Sequence, residues 1–256
     1  MLVQIDYELS FAAPFHLGTG ISTNLLDRTV VRDTDKYLYV PASTFKGVLR
    51  EHCEHLLRFY TPAEPESVAS PHDADAVLVE LGGASTLISR IFGSQIHPGG
   101  LRFDNARQED TAGRMYKNIQ TSVLTQVRID RVTRTAANEA LYTSEFGAPF
   151  LTFRGTIKGQ LDCVPIDDDD LAILAADNKG EVHILRPTYS LLLLLAGLFM
   201  IERIGGNKST GKGQCRCTIE QVLLDRHTCT EEEWRPWIEH LHLVSNYAQT
   251  EKGGQR

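Results

Sequence analysis

The chain has few of the features that mark a protein as exported, membrane-spanning or generically basic. Its longest apolar run, Leu191 to Ile201, is eleven residues. A bilayer-crossing helix needs about 20, so this run reads as a core helix and no membrane partner is expected. The opening MLVQIDYELS has no basic stretch ahead of an apolar one, so no secretory signal is expected and a cytoplasmic location is. There are only 5 cysteines among the 256 residues. An odd number without secretory context excludes a disulfide framework and predicts reduced thiols. Basic residues are in deficit: 26 Lys and Arg against 33 Asp and Glu give a net charge of −7. That excludes a free, non-specific nucleic-acid binder.

What charge there is falls unevenly. Residues 61–80 carry five acids and no Lys or Arg, and DDDD at 167–170 and EEE at 231–233 add two more acidic patches. Residues 112–138 run the other way, with Arg114, Lys117, Arg128, Arg131 and Arg134 against Asp130 alone. The ordinary meaning of a charge run is a solvated face. A basic segment inside an acidic protein points further, to a polyanion.

The stretch RIGGNKSTGKGQCRC, residues 203–217, fits most of the phosphate-loop pattern through Gly206, Gly211 and Lys212, but Gly213 stands where Ser or Thr would ligate magnesium. A phosphate loop follows a strand and opens a helix. Here an apolar helix pattern precedes the loop, and the alternating QCRCTIE follows it. The loop is therefore a helix-to-strand connection, which argues against nucleotide hydrolysis. Two readings remain: a surface turn, or an anion cradle in which glycines admit a backbone beside Lys208 and Lys212. An RNA backbone is one such anion.

Periodicity supplies the skeleton. Val3, Ile5, Tyr7 and Leu9 alternate with polar residues and predict a strand. ASTFKGVLREHCEHLLRFY predicts an amphipathic helix with Ser43 or Thr44 as its N-cap. Pro62, Pro65 and Pro71 mark a surface insertion at about 61–90. LRFDNA is a short strand, and 107–150 an extended arm or hairpin. A long strand runs over 151–163, then the apolar helix, the glycine loop and a strand at 214–224. Residues 225–256 read as an acidic tail in which Trp234 and Trp237 anchor a last helical turn. Strand–helix–strands–strand–helix–strand is the order of a ferredoxin-like α+β fold. The aromatic signature with which that topology binds RNA on its sheet face is absent, so stacking there is not expected.

Three segments together carry a resemblance: FHLGTGISTNLLDRTVVRDTDKYLYVPASTFKGVLR (15–50), the stretch from FGSQIHPGGLRFDNA to VRIDRVTRTAANEALYTSEFGAPF (92–150), and the glycine loop. In this order they resemble the RAMP superfamily of CRISPR-associated proteins, in particular the target-RNA-cleaving backbone subunit of type III effector complexes. The resemblance runs to about residue 224. It implies a single modified RNA-recognition palm over 1–224 with a thumb-like hairpin inserted at 107–150. It also implies assembly with further copies of itself or related RAMP subunits and with other effector subunits. The RNA partners it implies are a guide RNA and a complementary target RNA. In that family the thumb opens the guide–target duplex at intervals, and an aspartate in the first long loop cuts the target. The motif places that aspartate at Asp27 in DRTVVRD, where Thr29 replaces a frequent proline.

The residues alone leave alternatives open. Asp27 is a turn aspartate or a catalytic carboxylate; in the second case it holds a divalent ion, Mg or Mn, or accepts the 2′-OH proton of the flanking nucleotide. His16 is a satisfied buried histidine, a guide-RNA contact, or, by likeness to another RAMP branch, part of a precursor-processing endonuclease. Ser43, Thr44, Lys46 and Arg50 open a helix whose N-terminus suits phosphate, or they are caps and surface charge. Arg128, Arg131 and Arg134 fall on the thumb. Gly205, Gly206, Asn207, Lys208, Ser209, Thr210, Gly211, Lys212 and Gly213 are expected to cradle guide-RNA phosphates. His52, Cys53 and His55 crowd one helix as a zinc candidate, which needs further ligands such as His72, Cys163 or Cys229. A non-catalytic guide-binding scaffold is the competing reading of the whole chain.

Overall fold

In a computed structural model of the chain, residues 1–23, 25–61, 86–108, 120–177 and 187–247 are described. Strand β1 (Leu2–Phe11) is central. It pairs antiparallel with β7 (Thr152–Gln160) on one side and with β8 (Cys215–Leu224) on the other. The register sets Ile5 opposite Ile157 and Val222, and Leu9 opposite Phe153 and Cys217, with one shift against β8 between Asp6 and Tyr7. Beyond β7 lie the short strands β3 (Leu101–Phe103) and β4 (Ala106–Arg107), and then β2 (Tyr39–Val40); β9 (His227–Cys229) closes the far edge. The architecture is α+β, with every pairing in this sheet antiparallel.

Alternation decides which face is covered. Val3, Ile5, Tyr7, Leu9 and Phe11 are buried, while the residues between them are half-exposed. Over the buried face lie α1 (Ala42–Tyr60), α2 (Leu87–Phe92) and α4 (Tyr189–Phe199); α3 (Asp168–Asp177) and α5 (Glu231–Glu239) complete the helices. The ring of Tyr7 stacks on Phe45 of α1 at 4.2 Å. In α4 every residue from Tyr189 to Leu198 is buried. Gly197 is needed there, because a Cβ would sit 2.5 Å from Cys53 Sγ of α1. The other face of the sheet is polar and internally paired: Arg154 with Glu8, Lys158 with Asp104, and the Thr156 hydroxyl with Asp6. No helix among the described residues is long and apolar enough to cross a membrane.

Three expectations change. Helix α1 is N-capped by Pro41, not by Ser43 or Thr44, which lie inside its first turn; its first N–H, on Ala42, donates to Asn105 Oδ1 at 2.8 Å. A side chain from the neighbouring β3–β4 connection thus does the work a local cap does elsewhere. The stretch from 225 continues the domain rather than trailing from it. β9 pairs with β8, a capping box between Thr230 and Glu233 starts α5, and Trp234, Trp237 and Leu243 join the core. Of the insertion expected at 61–90, residues 62–85 lie outside the described residues, but α2 is a buried element of the core.

Candidate functional site

Residues 107–150 form the predicted hairpin in their described part: β5 (Thr121–Ile129) pairs with β6 (Ala136–Gly147) in a separate two-stranded sheet. Val123, Val127, Ile129, Val132 and Leu141 are exposed along it. An amphipathic ribbon with no core beneath it is stabilised by its ladder and by its root. Around the turn, Asp130 Oδ1 accepts from the N–H of Val132 at 2.7 Å and Arg134 adopts a left-handed conformation, leaving Arg128, Arg131 and Arg134 exposed at the far end.

The root is where the first long loop docks. Residues 15–31 double back on themselves, with Val31 N–H on Leu17 O and Thr19 N–H on Thr29 O, so that Ile21 and Leu25 stand exposed near the tip. The returning limb lies against the outer edge of β6. Asp27 N–H donates to Thr143 O at 2.9 Å, and the Thr143 N–H donates back to Asp27 Oδ2 at 2.6 Å. Two residues on, Glu145 N–H donates to Arg28 O at 2.9 Å. The Arg28 guanidinium sits over the Tyr142 ring, 5.2 Å from its centroid. Asp27 is exposed, and its Oδ1 is engaged by no described residue. The aspartate is thereby fixed by main-chain register, and only one of its carboxylate oxygens is engaged by described residues.

Beneath it lies an ion pair that the sequence reading did not single out. Glu145 is only 5% exposed. Arg32 grips it with Nη2 to Oε1 at 2.5 Å and Nη1 to Oε2 at 3.0 Å, and the Val30 N–H adds 3.2 Å to Oε2. Burial pushes the Glu145 carboxyl up, but the hydrogen bonds from Arg32, Val30 and Thr121 outweigh it and hold it below the ordinary carboxylate range. The hydrogen bond to Glu145 raises the Arg32 guanidinium further, against its partial burial. The available signal was slight: an arginine directly after two valines in TVVRD, with nothing in the sequence to name its partner.

His16 joins three parts. Its Nδ1 lies 2.8 Å from Glu145 O, an acceptor, so Nδ1 donates, and the His16 carbonyl accepts from Gly206 N–H at 2.8 Å. The glycine loop packs on this strand. Gly205 (φ 101°) and Gly213 (φ 74°) are left-handed, and a Cβ on them would fall 2.6 Å from His16 O and 2.2 Å from Ile204 O. Two of the four glycines thus serve the protein's own close packing. The N–H groups of Gly206, Thr210, Gly211, Lys212 and Gly213 all donate to carbonyls of the chain itself. Five of the nine N–H groups of the expected backbone cradle are therefore engaged within the chain, and the two lysine side chains add positive charge beside them. Lys212 Nζ lies over Phe146 at 5.4 Å, and Lys208 Nζ lies 3.7 Å from Glu51 of α1.

The structure thus gathers Asp27, His16 and residues 205–213 around the hairpin root. The candidates on α1 engage other partners. Lys46 sits over Phe103 at 5.6 Å, its ammonium pulled down first by burial and then by the charge of Arg50. Arg50 is tied to Glu54 at 2.9 Å and to Gly93 O at 3.3 Å. The zinc trio does not converge: Cys53 is buried with its thiol on Leu193 O, while His55 is exposed. Cys163 and Cys229 do not join them and His72 lies outside the described residues. Among the described residues no three His, Cys, Asp or Glu side chains stand together as metal ligands.

Comparison with known proteins gives a family and similar solved structures. No curated protein matches the chain. A solved structure, the Type III-B Cmr-beta bound to cognate target RNA, is 13% identical with a TM-score of 0.49, covering 84% of this chain and 96% of that one. The family model of the RAMP superfamily matches residues 8–216, from the second half of β1 through the start of β8, and so spans the first loop, the hairpin and the glycine loop. The chain belongs to the RAMP superfamily.

Proposed function

We propose that this protein is the backbone subunit of a type III CRISPR RNA-guided effector complex. In this reading it binds guide RNA and cleaves complementary target RNA in antiviral defence. The observation that carries the proposal is the tie between Asp27 and Thr143, which hangs an exposed carboxylate on the edge of a projecting, apolar and basic hairpin. The strand order β3/β4–β7–β1–β8, with α1 and α4 as the crossovers, supports a ferredoxin-like palm that carries this hairpin as its thumb. The exposed valines and leucine suit a wedge between bases, and Arg128, Arg131 and Arg134 suit the flanking phosphates. Lys208 and Lys212 hold guide-RNA phosphate without reading sequence. Partners follow from this role: guide RNA, target RNA, further copies or related RAMP subunits and other effector subunits, in the cytoplasm.

The chemistry asks little of the protein. Asp27 Oδ1 accepts the 2′-OH proton of the nucleotide at the wedge; the 2′ oxygen attacks phosphorus, the bond to the 5′ oxygen breaks, and the leaving 5′ oxygen takes a proton from water. The products are a 2′,3′-cyclic phosphate and a 5′-OH, and only RNA is cut. Holding that nucleotide with its 2′-OH in line is much of the acceleration. A Mg or Mn ion carried in on the RNA would neutralise charge on the scissile phosphate.

The test is Asp27→Ala in the assembled complex. The variant should bind guide and target as the wild type does and lose cleavage. A target with 2′-deoxy sugar at the cut positions should resist the wild type. EDTA should slow the wild type if an ion takes part. Cleavage by Asp27→Ala at the wild-type rate and positions would sink the catalytic assignment and leave a guide-binding scaffold.

A further inference from the structure

The loop that carries Asp27 has little to hold it. Its tip is exposed, with Ile21 at 67% and Leu25 at 88%. Its returning limb buries Val30. Beyond the main-chain hydrogen bonds at Asp27 and Arg28, the side chain that fastens that limb to the hairpin is Arg32. Its guanidinium spans both strands of the root, reaching Glu145 of β6 through two hydrogen bonds and Thr121 Oγ1 of β5 at 3.3 Å. Glu145 is bound a third time, by the N–H of Val30 from the same limb. Its main chain also engages Arg28 and His16, through its N–H and its carbonyl. Arg32 is further locked at its own backbone, which bridges to Leu38.

We propose that Arg32 and Glu145 are the positioning pair for Asp27: they set the register between the aspartate limb and β6, and so place the carboxylate relative to the wedge. The proposal rests on the functional reading above. The pair does not touch the substrate; it acts through residues 27–30 and 143–145. A bidentate guanidinium–carboxylate pair fixes two planes as well as a distance, which a lysine cannot do. With Arg32 gone, Glu145 keeps the Val30 N–H, so the limb can stay near β6 while its register loosens. A displacement on the order of 1 Å at a reacting group lowers a rate by about 100-fold.

The experiment uses the guide-loaded complex with Arg32→Ala, Arg32→Lys and Glu145→Gln, beside Asp27→Ala. Three quantities are read: target affinity, single-turnover cleavage rate, and amide exchange of the peptide containing Thr143. Arg32→Ala should bind target within about twofold of wild type, cut about 100-fold more slowly and exchange the Thr143 amide faster. Arg32→Lys should recover only part of the rate, because it restores the charge without the fork. Guanidinium ion added at constant ionic strength should raise the rate of Arg32→Ala and leave the wild type unmoved. Glu145→Gln is close to isosteric and should show the same pattern more weakly, which covers the case in which Arg32→Ala fails to assemble. A wild-type rate with unchanged Thr143 exchange in both Arg32→Ala and Glu145→Gln overturns the proposal. So does a rate loss matched by an equal loss of affinity, since Arg32 would then be an RNA contact. If Asp27→Ala itself cuts normally, the functional reading fails, and the exchange measurement still decides whether Arg32 holds the loop.

Discussion

The two sheets of this protein are held together by different physics. The seven-stranded sheet is covered on one face by helices, and its central residues, Ile5, Leu9, Phe153 and Ile157, are fully buried. The two-stranded hairpin has no such cover. β5 is exposed over most of its length, and β6 becomes buried near the root at Ser144, Glu145 and Phe146. One sheet is fixed by apolar burial, which is non-directional and large. The other is fixed by main-chain register and one ion pair, which are directional and small. Directional contacts suit the proposed role, in which the root presents the Asp27 carboxylate at a set place.

The contrast predicts where substitutions act. Phe153→Ala removes a ring that meets Phe11 and Phe15 edge-on at 5.7 Å each, and should cost about 3–5 kcal/mol. Val132→Ala at the hairpin turn, where the side chain is 91% exposed, should stay within about 0.5 kcal/mol. Urea unfolding of both variants checks this; equal losses would mean that the hairpin shares the core's stabilisation.

Gly205→Ala comes next. The left-handed backbone strains any L side chain by about 1–3 kcal/mol. The clash with His16 O adds about 1–3 kcal/mol of overpacking. Thermal unfolding should register the change without RNA present. An unaltered midpoint would show that the glycine loop is not packed on His16.

The ion pair makes a pH prediction. Glu145 has its folded value below the ordinary carboxylate range. Its contribution is therefore complete above the unfolded value and is lost as pH falls through the lowered folded one. Glu145→Gln should unfold more easily than wild type at neutral pH, by about 1.5–3 kcal/mol for hydrogen bonds to a charged group. The gap should narrow in acid over that window. Denaturant titrations at several pH values measure it, and a gap that widens toward acid would contradict the assignment.

How much of this was legible follows the same division. The apolar alternation of Val3 to Leu9 and the stripe of α1 dictate the covered sheet, because burial patterns repeat with the period of the element. The α1 cap was misplaced because Asn105, sixty-three residues away, supplies it. The last segment read as a tail because its acids dominate the composition, while two tryptophans and a capping box do the packing. Asp27 was legible only through a motif: an aspartate in an irregular loop has no periodicity, and its Thr143 partner is a backbone group with no sequence signature. Arg32 and Glu145, 113 residues apart, could not be paired from the sequence at all.

The smallest effect on the fold is expected at Lys208, and it separates packing from binding within one loop. Lys208 lies 3.7 Å from Glu51, and both side chains are substantially exposed. Exposed pairs contribute about 0–1 kcal/mol and are screened by salt, so Lys208→Ala should leave the unfolding midpoint close to wild type. Its carbonyl, which accepts from Arg203 Nη1 at 2.7 Å, is untouched by the substitution, so the turn should keep its shape. The loss should appear in RNA affinity instead. A lysine that neutralises one phosphate contributes about one unit to the slope of log K against log salt. Lys208→Ala should reduce the slope by about that much, and by the same amount for guides of unrelated sequence. Gly205→Ala should do the reverse, lowering the unfolding midpoint while the salt slope of the folded protein persists. Filter-binding titrations of both variants across a salt series, beside their melting curves, put the two on separate axes. A Lys208→Ala variant that melts early with an unchanged slope would make the lysine a packing residue and reduce the loop to a turn.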